Sequence, residues 1–212
     1  MTEKRKKPAG LQKVLAVDAY LTDAFCNWTN RFLAFRSLRT HYKILEVSCH
    51  GIPWLCGWLA FIWIWDQPSL YQMQVNLFTG LLLDIIFVAV LKAFTRRRRP
   101  AANKADMFVT VGPDKFSFPS GHASRACFVA FFFIKLWPVH FILTLPLLAW
   151  CTAVCLSRLL LRRHHILDVL GGVLLGILEG LLIGWLWLSQ ETSAWAISYI
   201  SDERLEGGSY HV

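Results

Sequence analysis

Three short polar clusters stand in a largely apolar chain: Lys92-Ala-Phe-Thr-Arg-Arg-Arg-Arg99-Pro100, Pro119-Ser-Gly-His122, and Ser157-Arg158 followed by His164 and Asp168. Their residue types suit the handling of an anion, most simply a phosphoryl group. Lys92 lies one to two turns inside the end of an apolar segment, where an ammonium must snorkel to water or meet an anion. Arg158 offers a guanidinium fork matched to phosphate oxygens. Pro119-Ser-Gly-His122 reads as a helix start with Ser120 as N-cap, so free backbone N–H groups and the positive dipole end favour an anion there. Gly121 leaves room for a phosphate oxygen against the backbone. His164 and Asp168 are four apart at a second helix start and share a face. A carboxylate reaching one ring nitrogen fixes the tautomer and leaves the other nitrogen free to attack. His165 lacks that i+4 relation, since position 169 is valine.

Each cluster has a plainer reading when taken alone. Arg96 to Arg99 is ordinary positive charge beside a membrane segment. An N-cap followed by histidine is common, and an isolated His/Asp pair is more often a structural hydrogen bond. The three together, with fixed internal spacings and all at segment ends, favour the chemical reading.

The elements that must position them are helices in a bilayer. The chain has 212 residues, about one domain by the length prior, and 55% of them are apolar. The apolar residues are gathered into runs of bilayer length. The expectation is an all-α, multi-pass transmembrane helical bundle of about five spans, near 44–65, 75–94, 119–137, 139–158 and 168–188. Gly51 and Pro53 should bend the first, and Gly172, Gly176, Gly180 and Gly184 should let a neighbour approach the last. Residues 1–43 read as a basic tail and an amphipathic interfacial helix beginning at Leu11, whose apolar stripe Asp18 interrupts. Docking of that helix on the protein's own surface fits equally well. Residues 44–188 form the transmembrane domain and 189–212 a short C-terminal tail.

The net charge of +8 sits in loops and at the N-terminus. Basic residues that flank apolar runs suit a bilayer with anionic lipid and argue against nucleic acid as a partner. Six cysteines, Cys26, Cys49, Cys56, Cys127, Cys151 and Cys155, form no C-x-x-C pair and read as small core residues. The basic start MTEKRKKPAG lacks a following h-region, so no cleaved signal peptide is expected. Threading five spans puts 20 Lys and Arg on the face that carries the three clusters, and only Lys135 and Arg204 opposite. That bias makes the clustered face cytoplasmic. Trp63, Trp65, Trp137, Trp185 and Trp187 fall at the other ends, as an aromatic belt would.

The spacings Lys92-x6-Arg99-Pro100, Pro119-Ser-Gly-His122 and Ser157-Arg158-x5-His164-x3-Asp168 resemble the three signature motifs of the type-2 phosphatidic acid phosphatase superfamily, with every position matched. Lys43-Ile-Leu-Glu-Val-Ser-Cys-His-Gly-Ile-Pro-Trp54, Asp106 to Thr110 and Asp114 to Phe118 are similar to its polyisoprenoid (presqualene) diphosphate phosphatase branch. That widens the likeness to about residues 43–180.

The resemblance implies hydrolysis of a phosphorylated lipid without metal or other cofactor. His164 would attack phosphorus to form a phosphohistidine, with Asp168 orienting it and stabilising its charge. His122 would protonate the leaving oxygen and then activate water. Lys92, Arg99, Arg158, Ser120 and the Gly121 N–H would hold the phosphoryl oxygens. The sequence itself offers no carboxylate cluster suited to magnesium. Isoprenoid diphosphates such as presqualene or farnesyl diphosphate are the implied substrates, at the endoplasmic reticulum or nuclear envelope. The alternatives are phosphatidate or sphingoid-base phosphates as substrates, or a non-catalytic lipid-binding scaffold. Arg96 to Arg98 are left as markers of the cytoplasmic side. Glu179 is expected to pair in the interior with Glu46, His50 or Asp84, beneath the site.

Overall fold

The computed structural model describes residues 8–32, 37–100 and 115–206. The basic residues Lys4 to Lys7 and the stretch from Asp106 to Asp114 lie outside the described residues. The described residues form eight α-helices: α1 (Ala9–Thr29), α2 (Arg39–Ser48), α3 (Gly51–Ile64), α4 (Tyr71–Thr95), α5 (Gly121–Phe131), α6 (Phe141–Leu160), α7 (Ile166–Trp185) and α8 (Gln190–Glu206). Strand pairing among the described residues is limited to an isolated bridge between Arg98 and Phe116.

Three helical segments, Pro68–Thr95, Phe141–Leu160 and Ile166–Trp185, are long and apolar enough to cross a membrane. The expected first span is broken. Helices α2 and α3 meet at a bend of 50° and together make a fourth candidate, with Cys49 and His50 at the break, just ahead of Gly51 and Pro53. The expected span 119–137 is built unlike the others. It forms only eleven residues of α-helix, continued by a five-residue π-turn, Phe132–Leu136. That is about 24 Å at 1.5 Å per residue, short of a hydrocarbon core of about 30 Å. Its apolar run has another cause: α5 is the interior helix. Ala123, Ser124, Ala126, Phe128, Val129 and Ala130 are all buried.

Helix α7 lies along α5, and glycine makes the approach close enough. A Cβ added at Gly176 would lie 2.3 Å from the Ser124 carbonyl oxygen, and one at Gly172 would lie 2.5 Å from that of Ser120. Gly180 and Gly184 face Phe131 and Leu136 in the same way. Gly176→Val is therefore expected to force α5 and α7 apart and to destabilise by at least the 1–3 kcal/mol (about) of an overpacked core. A thermal midpoint equal to wild type in the same detergent would contradict this.

The two ends of the bundle are tied differently. At one, the Asn76 side chain donates to Leu188 O at 3.1 Å and accepts from Leu188 N–H at 2.9 Å, joining the start of α4 to the end of α7. Below it, Met73, Leu77, Leu81, Phe128, Val129, Phe132 and Ile183 form the main apolar cluster. The end of α4 and the start of α7 therefore share the opposite pole, where the polar clusters lie. Trp63, Trp65 and Trp185 are exposed, whereas Trp137 and Trp187 pack on the core.

Both flanking segments are helical. Residues after 189 are no tail: α8 buries Ser193 and Ile197 and runs alongside α4. In α1 the buried residues are Asp18, Thr22, Cys26 and Thr29, while Leu11, Val14, Val17, Tyr20, Leu21 and Trp28 are exposed. The helix docks on the bundle by its polar stripe and turns its apolar side outward, as a helix lying against acyl chains should.

Candidate active site

Helix α4 ends at Arg96, whose left-handed backbone (φ 46°, ψ 37°) turns the chain sharply. Arg97 is thereby directed inward. Its guanidinium donates to Asp168 Oδ1 at 2.7 Å and to Asp18 Oδ2, with little of the side chain exposed. The Asp18 carboxylate also accepts the Leu167 N–H at 3.0 Å, and Thr22 Oγ1 accepts the Ile166 N–H at 3.1 Å. Helix α1 thus caps the first turn of α7, whose N–H groups have no partners within the helix.

Asp168 does not hold His164 as expected. Its Oδ2 lies 3.9 Å from His164 Nδ1, beyond hydrogen-bond length. The carboxylate instead accepts from Ser117 Oγ at 2.6 Å, from the His165 N–H at 2.8 Å, and lies 3.1 Å from His165 Nδ1. His165 is the N-cap of α7 and Asp168 its third residue, so the pair closes a capping box. His165 reaches Asp168 at i+3, a relation that spacing by four passes over.

What holds His164 is the backbone of Ser117. Its Nδ1 lies 2.8 Å from Ser117 O; a carbonyl can only accept, so Nδ1 carries the proton and Nε2 keeps its lone pair. His164 is in the turn between α6 and α7 and only 3% exposed. Burial first, and then the positive charges of Arg99, Lys92 and Arg158, hold its imidazole well below the ordinary value of 6.5, against the opposing pull of Asp168. The ring is neutral at neutral pH, as a nucleophile must be.

This has a stability consequence. As pH falls through about 6.5 the unfolded chain protonates at this position while the folded protein does not. The folded state therefore loses stability from pH 6.5 downward, until its own lower value is reached. The thermal midpoint of the wild type is expected to fall more between pH 7 and 5.5 than that of His164→Gln. Parallel curves for the two proteins would contradict this.

The remaining cluster residues gather around His164. Lys92 is buried one turn before the end of α4. Ser120 is fully buried as N-cap of α5, and its N–H donates to Asp168 O at 2.9 Å. Gly121 does not face the site with its open side: a Cβ there would meet Val88 Cγ1 on α4 at 3.1 Å. Its smallness serves helix packing. Arg158 is 1% exposed; its Nε and Nη2 each lie 3.2 Å from Ser157 Oγ, and its Nη1 lies 3.3 Å from Glu46 Oε1. His122 Nε2 lies 3.1 Å from the backbone oxygen of Glu46, and the His50 ring is 6.0 Å away, edge to face.

Among the described residues Glu179 makes no hydrogen bond to the interior partners expected of it. Asp84 accepts instead from Arg125 Nη2 at 2.6 Å, while Arg125 Nη1 donates to Cys49 O at 3.0 Å. Glu46 serves Arg158 and Arg163. Both carboxylate oxygens of Glu179 are buried and, among the described residues, meet no hydrogen-bond partner.

Sequence reasoning therefore missed Arg97, Asp18, Ser117, Glu46 and His165. One signal was available. Asp18, Thr22, Cys26 and Thr29 recur at helical spacing, a polar stripe that marks a docking face on an otherwise apolar helix.

The PAP2 superfamily matches residues 74–193, more than half of the chain. A probable lipid phosphate phosphatase beta of Arabidopsis thaliana is 39% identical over 193 residues, 79% of this chain and 87% of that protein. Sphingosine-1-phosphate phosphatase 1 of Rattus norvegicus is 32% identical over 127 residues, 55% of this chain but 28% of its own length. Among solved structures, Aquifex aeolicus LpxE aligns with a TM-score of 0.54 at 22% identity, covering 69% of this chain and 84% of that one. At that identity the likeness speaks for the fold. With the helical membrane bundle and all three motifs in place, the chain belongs to the PAP2 superfamily and is an integral-membrane lipid phosphatase of that type.

Proposed function

We propose that this enzyme hydrolyses isoprenoid diphosphates and monophosphates at the cytoplasmic face of its membrane, through a phosphohistidine and without a metal. The observation that carries the reaction is His164: neutral, with Nδ1–H committed to Ser117 O, which leaves the lone pair on Nε2, in the field of Arg99, Lys92 and Arg158. Nε2 forms a bond to phosphorus as the bond from phosphorus to the leaving oxygen breaks. With Nε2–H held by the Glu46 carbonyl, His122 in its doubly protonated form gives its Nδ1 proton to that oxygen, then takes one back from the water that cleaves the P–N bond. The cations and the amino end of α5 stabilise the equatorial oxygens as charge shifts among them. Asp168 acts at one remove, through Ser117, His165 and Arg97.

The isoprenoid preference rests on the 43–54 and 106–118 resemblances, and so does the endoplasmic reticulum or nuclear envelope as its location. A second reading, a phosphatase of sphingoid-base or glycerolipid phosphates, is supported by the likeness to the sphingosine-1-phosphate enzyme. Purified protein in EDTA, compared on presqualene or farnesyl diphosphate, phosphatidate and sphingosine phosphate, separates them. Isoprenoid substrates are expected to give the highest kcat/KM. Loss of all activity in EDTA would overturn the metal-free mechanism.

The cytoplasmic orientation has its own check. Asn27-Trp28-Thr29 is a glycosylation acceptor beside the site, and Asn27 Oδ1 accepts from Arg162 Nη2 at 2.7 Å. No glycan is expected at Asn27 in cells. A glycan there would place the site on the lumenal side.

A further inference from the structure

Glu46 touches both halves of the proposed machinery. Its carboxylate lies 3.3 Å from Arg158 and 3.6 Å from Arg163, while its backbone oxygen meets His122 Nε2 at 3.1 Å. The residue is 6% exposed and Arg158 1%, so the carboxylate and the guanidinium share a space nearly closed to water. A guanidinium accepts a carboxylate or a phosphoryl group through the same N–H groups. With Nε and Nη2 turned to Ser157 Oγ, Nη1 is the edge that Glu46 holds, and a phosphoryl group binding two-pronged would need that edge too.

We propose that the Glu46 carboxylate holds the phosphoryl position on Arg158 in the empty enzyme, and that substrate must displace it, so that Glu46 sets phosphate affinity. The inference rests on the reading of Arg158 as a phosphate ligand. The side chain can leave while the backbone stays. Just beyond Glu46, Ser48 O accepts from Trp54 Nε1 at 2.7 Å and Ser48 Oγ from Trp150 Nε1 at 3.1 Å. Cys49 Sγ lies 3.3 Å from His122 O, and Cys49 O accepts from Arg125. These ties pin the end of α2, and with it the carbonyl that meets His122. Rotation of the Glu46 side chain then uncovers Arg158 and takes a negative charge away from Arg163, adding positive potential as a dianionic group arrives. A phosphoryl group carries more charge than the carboxylate it replaces, which gives the exchange its direction.

The test uses the full chain in detergent, with orthovanadate and inorganic phosphate as probes. Glu46→Gln removes the competing charge at nearly constant shape, and Glu46→Asp keeps the charge but withdraws it by one methylene. The inhibition constant for orthovanadate is expected to fall about tenfold in Glu46→Gln, one ion-pair equivalent, and by less in Glu46→Asp. KM should fall in the same order. Weaker or unchanged vanadate binding in Glu46→Gln would overturn the proposal, because it would make Glu46 a support for Arg158 and not its competitor. Should Glu46→Gln fail to fold, the direction of the change in Glu46→Asp decides. Phosphate-induced shifts of the thermal midpoint report binding without turnover. The expected order of shifts in a protein that released no phosphate would sink the reaction and leave the exchange standing. Turnover with the reverse order would do the opposite.

Discussion

His164→Ala is expected to lower phosphate release from a lipid phosphate by on the order of 10⁴-fold or more, the scale set by removing a nucleophile. No neighbour can stand in for it. His165 is adjacent in sequence, but its Nδ1 faces Asp168 at 3.1 Å and its backbone is the N-cap of α7. His122 has its Nε2 held by the Glu46 carbonyl. Below about pH 6.5 the variant escapes the cost of a buried imidazole that resists protonation, so its thermal midpoint there separates lost chemistry from lost folding. The decisive measurements are phosphate release and a quenched, base-stable phosphoenzyme. Both should vanish together. Release within tenfold of wild type would assign the nucleophile elsewhere. Ser117→Ala is the informative contrast: it keeps the carbonyl that fixes His164 and removes only the hydroxyl donated to Asp168, so its loss of turnover should be far smaller.

Arg97→Ala is expected to cost about 3–5 kcal/mol, the penalty for leaving buried charge without its partner. Two carboxylates depend on this guanidinium. Asp18 is 4% exposed and Asp168 fully buried, and each receives one of its N–H groups. Removing it also unfastens α1 from the start of α7, because Asp18 caps Leu167 only while its charge is compensated. The thermal midpoint should drop by about 10 °C or more for a domain of this size, with turnover falling alongside. Arg97→Lys retains charge but not the two-pronged geometry, and should recover only part of the loss. Arg97→Ala combined with Asp18→Asn should be more stable than Arg97→Ala alone, since one of the two stranded charges is gone. A single variant as stable as wild type would show that water, not Arg97, satisfies these carboxylates.

Helix content, the polar clusters and their common pole were readable because each depends on local pattern or on threading. A run of apolar residues declares itself whatever it packs against, and an arginine beside such a run lies near its end. Partner choice was not readable. His164 and His165 are neighbours, and spacing by four assigned Asp168 to the first. The chain leaves α6 by a turn with Arg162 at positive φ, and that turn gives Asp168 to His165 and the Ser117 carbonyl to His164. Arg96, Arg97, Arg98 and Arg99 are identical side chains in sequence. A single left-handed residue at Arg96 sends Arg97 into the protein.

Helix α5 shows the same limit from the other side. Its composition suits a lipid-facing span, yet it is the buried centre of the bundle, because apolarity does not distinguish lipid from protein interior. The glycines of α7 declared a close contact, though not with which helix.

By itself, then, the sequence determined that this is a helical membrane protein with phosphate-handling groups at one pole, since periodicity, hydropathy and spacing are properties of the chain alone. Only the tertiary structure decided which carbonyl orients His164, which arginine bridges Asp18 to Asp168, and that Glu46 lies against Arg158. Those contacts join residues between 47 and 112 positions apart. Their geometry is set by helix packing and by two turns, which no local pattern encodes.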